Sequence, residues 1–361
     1  MSGSGEHSMT SVMTSVPLGR LGAYVLPGAA HDPASGIEQA RATERMGFGT
    51  VWIGERYDTK DLGALAGALS QVTRRVQIAA GITHPYLRHP MVLASMGQTL
   101  QALTGGRFRL GLGRSASWRW AAYGQPAPTL AALEDIAGLL RRLWDGQTVE
   151  YEGPLGRFPQ LRLPVVLAAP PPLLLAAIGP KTLALAGRCY DGVILHPLLT
   201  PQAVRRSADI VRAAAQEAGR DPDGVRCYAT VLCAPAVSDA ERQLAIEARA
   251  AGYLSLPGLG DSLARINGWD EADLARYRGQ RVLTDLGTKP ADKYLTRAEL
   301  IKLCEGMPPS WLASCTAAGT VRQTASVLAE YLAAGADELI LHGVVGEGLT
   351  PLADYLAAEG G

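Results

Sequence analysis

The sequence lacks several features that mark particular classes of protein. Positive and negative side chains balance, with 34 Lys+Arg and 34 Asp+Glu, and no block of one sign occurs. Nucleic-acid-binding proteins usually carry a basic face, so this balance argues against such a partner. The longest nearly apolar run, 163–175, is interrupted by four prolines and is unsuited to a membrane-spanning helix. We therefore expect neither a nucleic-acid nor a membrane partner.

Cysteine and recognisable catalytic signatures are also scarce. The five cysteines, at 189, 227, 233, 304 and 315, form no C-x-x-C pair, which favours reduced thiols and a cytoplasmic location. No His-x-His pair follows the first predicted strand, so a metal site is not expected. The absence of Walker, Gly-x-Ser-x-Gly and paired-carboxylate patterns argues against NTPase, esterase and glycosidase functions.

The 361 residues are 47% hydrophobic, and short apolar runs alternate with helical patterns. Such alternation predicts a parallel sheet covered by helices, and eight units predict an α/β fold of the (β/α)8 TIM-barrel type. The predicted strands are Leu21–Leu26, Thr50–Gly54, Val76–Ile82, Phe108–Leu112, Val165–Ala168, Gly192–Leu195, Val225–Leu232 and Glu338–Leu341. The predicted helices are Ile37–Met46, Leu62–Val72, Met91–Leu103, Leu130–Trp144, Lys181–Ala186, Ala203–Ala218, Ala240–Ala251, Val321–Ala334 and Leu349–Ala358.

We expect one barrel domain over residues 18–361, preceded by a Ser/Gly/Thr-rich leader or cloning remnant over 1–17. Two connections are too long for simple loops. One follows strand four and carries a polar segment at 150–153, and the other, 252–314, lies between strands seven and eight. The second has a mixed composition that includes Trp269, Tyr277 and Tyr294, so we predict helices and a lid role for it.

Candidate site residues follow the predicted strands, whose carboxyl ends form the ligand-binding rim of such a barrel. His31, His84, His89, His196 and His342 all occupy such positions. For His31, and also for His89, we expect helix capping or a hydrogen bond to a loop carbonyl instead of a role in the site. Trp118 and Trp120 lie on the long loop after strand four, where they either wall a pocket or pack within the loop.

Two further segments have the composition of an anion site. Gly111–Ser115 pairs glycines with Arg114, and Gly179, Pro180 and Lys181 open a helix. Free N–H groups, the helix dipole and a lysine together suit a phosphate, although an ordinary turn and an ordinary helix start remain alternatives. After strand two, Glu55-Arg56-Tyr57 either positions a substrate or proton or forms a local ion pair.

Together these segments resemble the luciferase-like superfamily, specifically its branch that uses the deazaflavin cofactor F420. The resemblance extends from Leu18 onward. Its motifs are Gly22–Pro27, Gly47–Glu55, Gly81–Pro85, Arg88–Pro90, Gly105–Arg114, Ala176–Lys181 and Ala186–Arg188.

The resemblance implies an F420-dependent oxidoreductase, with an FMN-dependent monooxygenase as the alternative and a non-catalytic F420 carrier as a third hypothesis. It implies a cis peptide at Gly81–Ile82 against the deazaflavin ring, a homodimer and a small-molecule substrate. The implied cofactor-binding residues are Gly81, Ile82, Thr83, His84, Gly113, Arg114, Ala177, Ile178, Gly179, Pro180 and Lys181.

One departure from the family pattern bears on the reaction. Relatives that oxidise sugar phosphates end strand two with an acid and a proton-abstracting His, whereas this chain has Glu55-Arg56. Arginine does not act as a base at ordinary pH. The candidate catalytic residues are therefore Glu55, His84 and His196, and reduction of an activated double bond or imine fits better than alcohol oxidation.

Overall fold

The computed structural model describes residues 15–27, 32–115 and 117–360. The strands of this part are β1 (Leu21–Val25), β2 (Thr50–Ile53), β3 (Gln77–Ala80), β4 (Phe108–Leu112), β5 (Val149–Gly153), β6 (Gly156–Leu161), β7 (Leu173–Ala177), β8 (Gly192–Leu195), β9 (Arg226–Pro235), β10 (Thr316–Gly319) and β11 (Glu338–Gly343).

Eight of these strands close into a parallel barrel. Their order around it is β1, β2, β3, β4, β7, β8, β9 and β11, and β11 pairs with β1 to complete the circle. Each barrel strand therefore lies beside the next barrel strand along the chain. Strands β5, β6 and β10 come between barrel strands in the sequence but are not part of the barrel. The predicted (β/α)8 TIM barrel is confirmed.

Helices cover the outside of the barrel and fill its long connections. They are α1 (Pro33–Arg45), α2 (Leu62–Val72), α3 (Pro90–Thr104), α4 (Ser117–Ala122), α5 (Leu130–Trp144), α6 (Pro180–Cys189), α7 (Pro201–Glu217), α8 (Asp239–Arg242), α9 (Ala248–Ser255), α10 (Leu259–Asn267), α11 (Glu271–Arg278), α12 (Arg281–Leu286), α13 (Ala291–Tyr294), α14 (Arg297–Cys304), α15 (Pro309–Cys315), α16 (Val321–Ala333) and α17 (Thr350–Gly360). A π-helical turn, Gln243–Glu247, joins α8 to α9.

Side-chain caps explain where several of the outer helices begin. Asp61 accepts a hydrogen bond from the Ala64 N–H at the start of α2, and Thr129 does the same for Ala132 at the start of α5. Such caps satisfy backbone donors that the first helical turn leaves unpaired. Both helices have the bounds that the sequence predicts.

The barrel separates an inner from an outer apolar layer. The inner cluster consists of Trp52, Ala79, Leu174, Ile194, Tyr228 and Ile340, one buried residue from each of six strands. Their strand neighbours face outward and pack with the helices in the main core. Successive side chains of a strand point to opposite faces, so strands buried on both sides give the continuous apolar runs seen in the sequence.

A buried ion pair lies inside the barrel near the amino ends of its strands. Arg109 Nη1 donates to Glu338 Oε2 at 2.8 Å, which joins β4 to β11 across the interior. Trp52 Nε1 donates to the other Glu338 oxygen at 3.1 Å. Gly22 leaves room for this contact, since a Cβ there would lie 2.5 Å from the indole nitrogen. The network occupies the end of the barrel opposite the strands' carboxyl ends.

The predicted fifth strand, Val165–Ala168, is wrong, because the fifth barrel strand is β7. Val165 and Val166 are exposed, and the chain between Pro164 and Pro172 is irregular. The prolines remove backbone donors that a central strand needs, whereas Leu173–Ala177 contains none. The predicted helix Lys181–Ala186 lies within α6, which begins at Pro180.

Besides β7, the strands β5, β6 and β10 are absent from the sequence prediction. The polar segment after α5 forms an antiparallel hairpin of β5 and β6. Strand β10 pairs with the end of β9 beyond the part of β9 that pairs with β8. It extends the sheet at the close of the long insertion without entering the barrel.

The insertion over 252–314 is helical and contacts the loop that follows β2. Asp292 on α13 lies 4.0 Å from the Arg56 guanidinium, and Lys293 forms an ion pair with Asp58. These contacts place α13 against the β2 loop, at the carboxyl ends of the strands. The lid role remains a prediction, and this placement supports it.

Candidate functional site

Three neighbouring strands, β3, β4 and β7, end in the segments predicted to hold a cofactor. The Gly81–Ile82 peptide that follows β3 is cis. The Thr83 N–H donates to the Gly111 carbonyl, and the Gly113 N–H donates to the Thr83 carbonyl, so the ends of β3 and β4 are joined. Thr83 itself is fully buried. The backbone thus forms a continuous surface at this side of the barrel mouth.

Glycines in this surface allow neighbouring side chains to pack directly against the backbone. A Cβ at Gly81 would lie 2.8 Å from both Trp52 and the Tyr24 hydroxyl. A Cβ at Gly113 would lie 2.2 Å from Ile82 Cδ1 and 3.1 Å from the Ala176 methyl. The ends of β3, β4 and β7 therefore converge on Ile82. Any larger residue at Gly81 or Gly113 would collide with the side chains that pack there.

The start of α6 provides an open helix N-terminus after β7. Gly179 is its N-cap and supplies no side-chain hydrogen bond, Pro180 opens the first turn, and Lys181 is exposed. A Cβ at Gly179 would meet no described atom within 4 Å. Ala177 and Ile178 lead directly into this turn, so a phosphate bound there would lie just beyond the carboxyl end of β7.

His84 is buried at the mouth without a partner for one of its nitrogens. Its ring lies edge-on to Trp120 at 5.4 Å and near Tyr57 at 5.8 Å, and it is only 2% exposed. Nδ1 has no hydrogen-bond partner in the described part of the chain. Burial, reinforced by the charge of Arg119, lowers the pKa of His84 to about 3. His84 is therefore uncharged at neutral pH.

Glu55 is buried and fully engaged by hydrogen bonds. Its Oε1 accepts from the Leu62 N–H at 3.0 Å, and its Oε2 accepts from the Thr83 hydroxyl at 2.9 Å. Arg88 adds two donors, Nε at 3.1 Å and Nη2 at 2.9 Å. Its ion-pair partner is thus Arg88 and not the adjacent Arg56. A carboxylate held by four donors is suited to positioning Thr83 and α2.

His196 follows β8, His342 is the second-last residue of β11, and their partners indicate their tautomers. His196 Nδ1 lies 2.7 Å from the Pro197 carbonyl, which only accepts, so Nδ1 carries the proton. His342 Nε2 lies 2.9 Å from Arg249 Nη1, which only donates, so this nitrogen is the acceptor. Burial lowers the pKa of His196 to about 4 and that of His342 well below its usual range. Both rings are uncharged at neutral pH.

The remaining sequence candidates are distributed around the mouth. Trp120 packs on His84 and its indole donates to the Arg114 carbonyl, while the Arg114 side chain is exposed. His89 is exposed and caps α3 by accepting a hydrogen bond from the Met91 N–H, which is the helix-capping role that the sequence analysis gives it. His31 and the Trp118 side chain lie outside the part of the chain that the structure describes.

Several residues at the mouth escape the sequence analysis. Tyr24 donates from its hydroxyl to the Gly81 carbonyl, and its ring lies 4.8 Å from that of His342. Tyr253 on α9 lies edge-on to His196 at 4.9 Å, and Arg249 on the same helix reaches His342. No local pattern marks Arg249 or Tyr253, because their helix meets the barrel only in the folded chain.

Other site types find no support in the residues that the structure describes. Within them, no three metal-ligating side chains converge, and all five cysteines are free. None of the described helices combines the length and the apolar character needed to cross a membrane. The rim of the barrel is therefore the site on which the functional argument rests.

A parallel eight-stranded barrel with a glycine-lined rim and an open helix N-terminus defines a barrel enzyme that binds its ligands at the strands' carboxyl ends. Residues 13–338 match the model of the luciferase-like monooxygenase family. The chain belongs to that family and is an oxidoreductase.

Individual relatives agree with this assignment. A 5,10-methylenetetrahydromethanopterin reductase of Methanolobus tindarius is 30% identical over 253 residues, covering 69% of this chain and 75% of the relative. An F420-dependent hydroxymycolic acid dehydrogenase of Mycobacterium tuberculosis is 31% identical over 199 residues, 52% of this chain and 55% of its own length. The chain thus spans about half of the second relative.

A solved structure supports the fold. The coenzyme F420-dependent tetrahydromethanopterin reductase of Methanopyrus kandleri superposes with a TM-score of 0.74 at 20% identity. The superposition covers 89% of this chain and 92% of that protein. The similarity therefore extends over nearly the whole barrel.

Proposed function

We propose that this chain is an F420-dependent oxidoreductase that reduces an activated double bond or an imine-type bond of a small organic substrate. The observation that carries the proposal is the convergence of β3, β4 and β7 on Ile82, Gly113 and Ala176, beside an uncapped helix N-terminus. A flat ring suits the glycine-lined surface, and an anionic tail suits the helix start with Lys181.

The names of relatives support the cofactor, and the name of one of them supports the direction of the reaction. The Mycobacterium tuberculosis relative is F420-dependent, and the Methanolobus tindarius relative is a reductase. When bound in its reduced form, F420 supplies a hydride. Gly81, Ile82, Thr83, His84, Gly113 and Arg114 would face the ring, and Ala177, Ile178, Gly179, Pro180 and Lys181 would hold the phosphate side of the tail.

The acid–base character of the mouth favours reduction over alcohol oxidation. An alcohol dehydrogenase needs a base, but Glu55 is held by four hydrogen-bond donors, and the low pKa of His84 makes its ring a weak base. A neutral imidazole still donates one hydrogen bond to a substrate atom that gains electrons. We assign His84 to such polarisation and Glu55 to positioning. His196 donates its one N–H to the Pro197 carbonyl, so we assign its Nε2 to accepting a hydrogen bond that orients the substrate.

Fluorescence titration of the purified protein with F420 and with FMN tests this proposal. We expect F420 to bind more tightly than FMN and K181A to weaken F420 binding, because the lysine faces the tail phosphate. K181A should leave binding of the deazaflavin without its tail unchanged, and K302A, an exposed lysine on α14, serves as the control. Preferential FMN binding would reject the proposal and support the monooxygenase alternative.

A further inference from the structure

The side of the mouth formed by β11, β1 and β2 carries an excess of positive charge. It lies across the barrel from β4, β7 and β8. We call Arg56, Arg249 and Arg297 the arginine cluster. Arg56 follows β2, Arg249 lies on α9, and Arg297 begins α14. Three separate segments, distant in the sequence, thus bring guanidinium groups towards one rim.

The pKa values of neighbouring groups show that these charges act on one another. Burial, followed by the charges of Arg297 and Arg56, lowers the pKa of Arg249. Burial and the charge of Arg56 lower the pKa of Arg119 and bring that of Lys60 to about 8. Arginine stays protonated throughout, so the cluster holds its positive charges close together at neutral pH.

Few carboxylates balance the cluster. Asp292 lies 4.0 Å from Arg56, which is the limit of an ion pair, and Asp58 is engaged by Lys293. Glu55, the nearest buried carboxylate after β2, pairs with Arg88. The cluster therefore retains uncompensated charge in a partly buried setting, which favours the entry of an anion.

Two buried donors in the cluster have no acceptor. The Nε atoms of Arg56 and Arg249 are both inaccessible to solvent and lack a hydrogen-bond partner among the described residues. The same Arg249 is held in place because its Nη1 donates to His342 Nε2. A buried donor left without an acceptor is costly, so these two atoms indicate the position of a missing partner.

We propose that the substrate carries an oxyanion, a carboxylate or a phosphate, that binds Arg56 and Arg249. A guanidinium offers parallel N–H donors that match either oxyanion. The bound anion faces His342 and Tyr24, and the Tyr24 hydroxyl contacts the Gly81 carbonyl. The anion-binding side and the glycine-lined side thus belong to one mouth. This substrate class rests on the proposed function.

Calorimetric titration of sodium acetate and of inorganic phosphate into the F420-saturated protein tests the proposal. We expect at least one anion to bind, and R249Q and R56Q to weaken it roughly tenfold or more, as loss of a charged hydrogen bond does. The preferred anion identifies carboxylate or phosphate as the group recognised. R281Q, which removes an exposed arginine on α12, should bind like the wild type. R249K keeps the charge, and its anion affinity should lie between those of R249Q and the wild type. This variant preserves the test if R249Q does not fold.

The F420 affinity of each variant separates this inference from the proposed function. We expect R56Q and R249Q to bind F420 as the wild type does. An equal loss of F420 binding would assign the cluster to the cofactor tail and overturn the inference. Anion binding that both substitutions leave unchanged, or no anion binding at all, would also overturn it. If the wild type fails to bind F420, the proposed function is rejected, and the same titration of the protein alone decides whether the oxyanion site stands.

Discussion

At the scale of single residues, the mouth holds three histidines uncharged by burial. His84 and His196 come after two strands and His342 lies near the end of a third, and each has its pKa lowered below the usual value. Local sequence predicts their position at strand ends. It does not predict their protonation, because burial depends on Trp120, Tyr253 and Arg249, which reach the rim from other segments.

The low pKa of His84 predicts a pH-dependent stability. Between its folded pKa of about 3 and its ordinary value of 6.5, the unfolded chain binds a proton that the folded chain does not. The free energy of unfolding therefore falls as pH is lowered below about 6.5. From pH 7 to pH 5 the contribution of His84 amounts to about 2 kcal/mol. Urea unfolding at both pH values should show this difference reduced in H84Q, and an unchanged difference would contradict the assignment.

The glycine-lined surface predicts a steric effect at Gly113. In G113A, the new methyl group would lie 2.2 Å from Ile82 Cδ1 and push that side chain into the space assigned to the ring. We expect F420 affinity, measured by fluorescence titration, to fall about tenfold, in line with overpacking costs of about 1–3 kcal/mol. G138A, where a Cβ meets nothing within 4 Å, is the matched control. Equal affinities in the two variants would place the ring elsewhere.

At the scale of elements, composition identified most barrel strands but not the fifth. Strands β1 to β4 are apolar runs between helix signals, and the predictions overlap all four. The sequence Leu173-Leu-Leu-Ala-Ala consists of good helix formers, so local propensity opposes the strand that it adopts. Pairing with β4 and β8 overrides that propensity, and such pairing is not visible in a single sequence.

The contact between α13 and the β2 loop predicts a local opening when its ion pair is removed. Asp58 and Lys293 are partly exposed, so D58N should cost less than about 1 kcal/mol in global stability. The 60%-exposed Tyr294 should nevertheless be cleaved faster by chymotrypsin, because α13 loses an anchor. D273N removes a comparable pair with Arg276 on α11 and is the control. Identical cleavage rates would show that the pair does not hold α13.

At the scale of the whole molecule, the buried Arg109–Glu338 pair joins opposite sides of the barrel. E338Q leaves the Arg109 charge without its counter-charge, and we expect a loss of about 3–5 kcal/mol in the free energy of unfolding. The double variant R109M/E338M removes both charges and should recover much of that loss. Denaturant unfolding checks both values, and a double variant as unstable as E338Q would contradict this account.

The way the barrel assembles also explains which residues of the site can be predicted from the sequence. Gly81, Gly113 and Gly179 are identifiable because parallel strands bring their carboxyl ends together. Arg249 is not, because its position against His342 depends on how α9 packs over the mouth. The homodimer remains a prediction, which light scattering of the purified protein would check.

The most direct test of the central claim is a crystal structure of the protein with F420 bound. The account predicts the deazaflavin ring against Gly81, Ile82 and Gly113, with its tail phosphate at the N-terminus of α6 beside Lys181. A ring bound away from the ends of β3 and β4, or a tail held by Arg56 and Arg249 instead of Lys181, would contradict it.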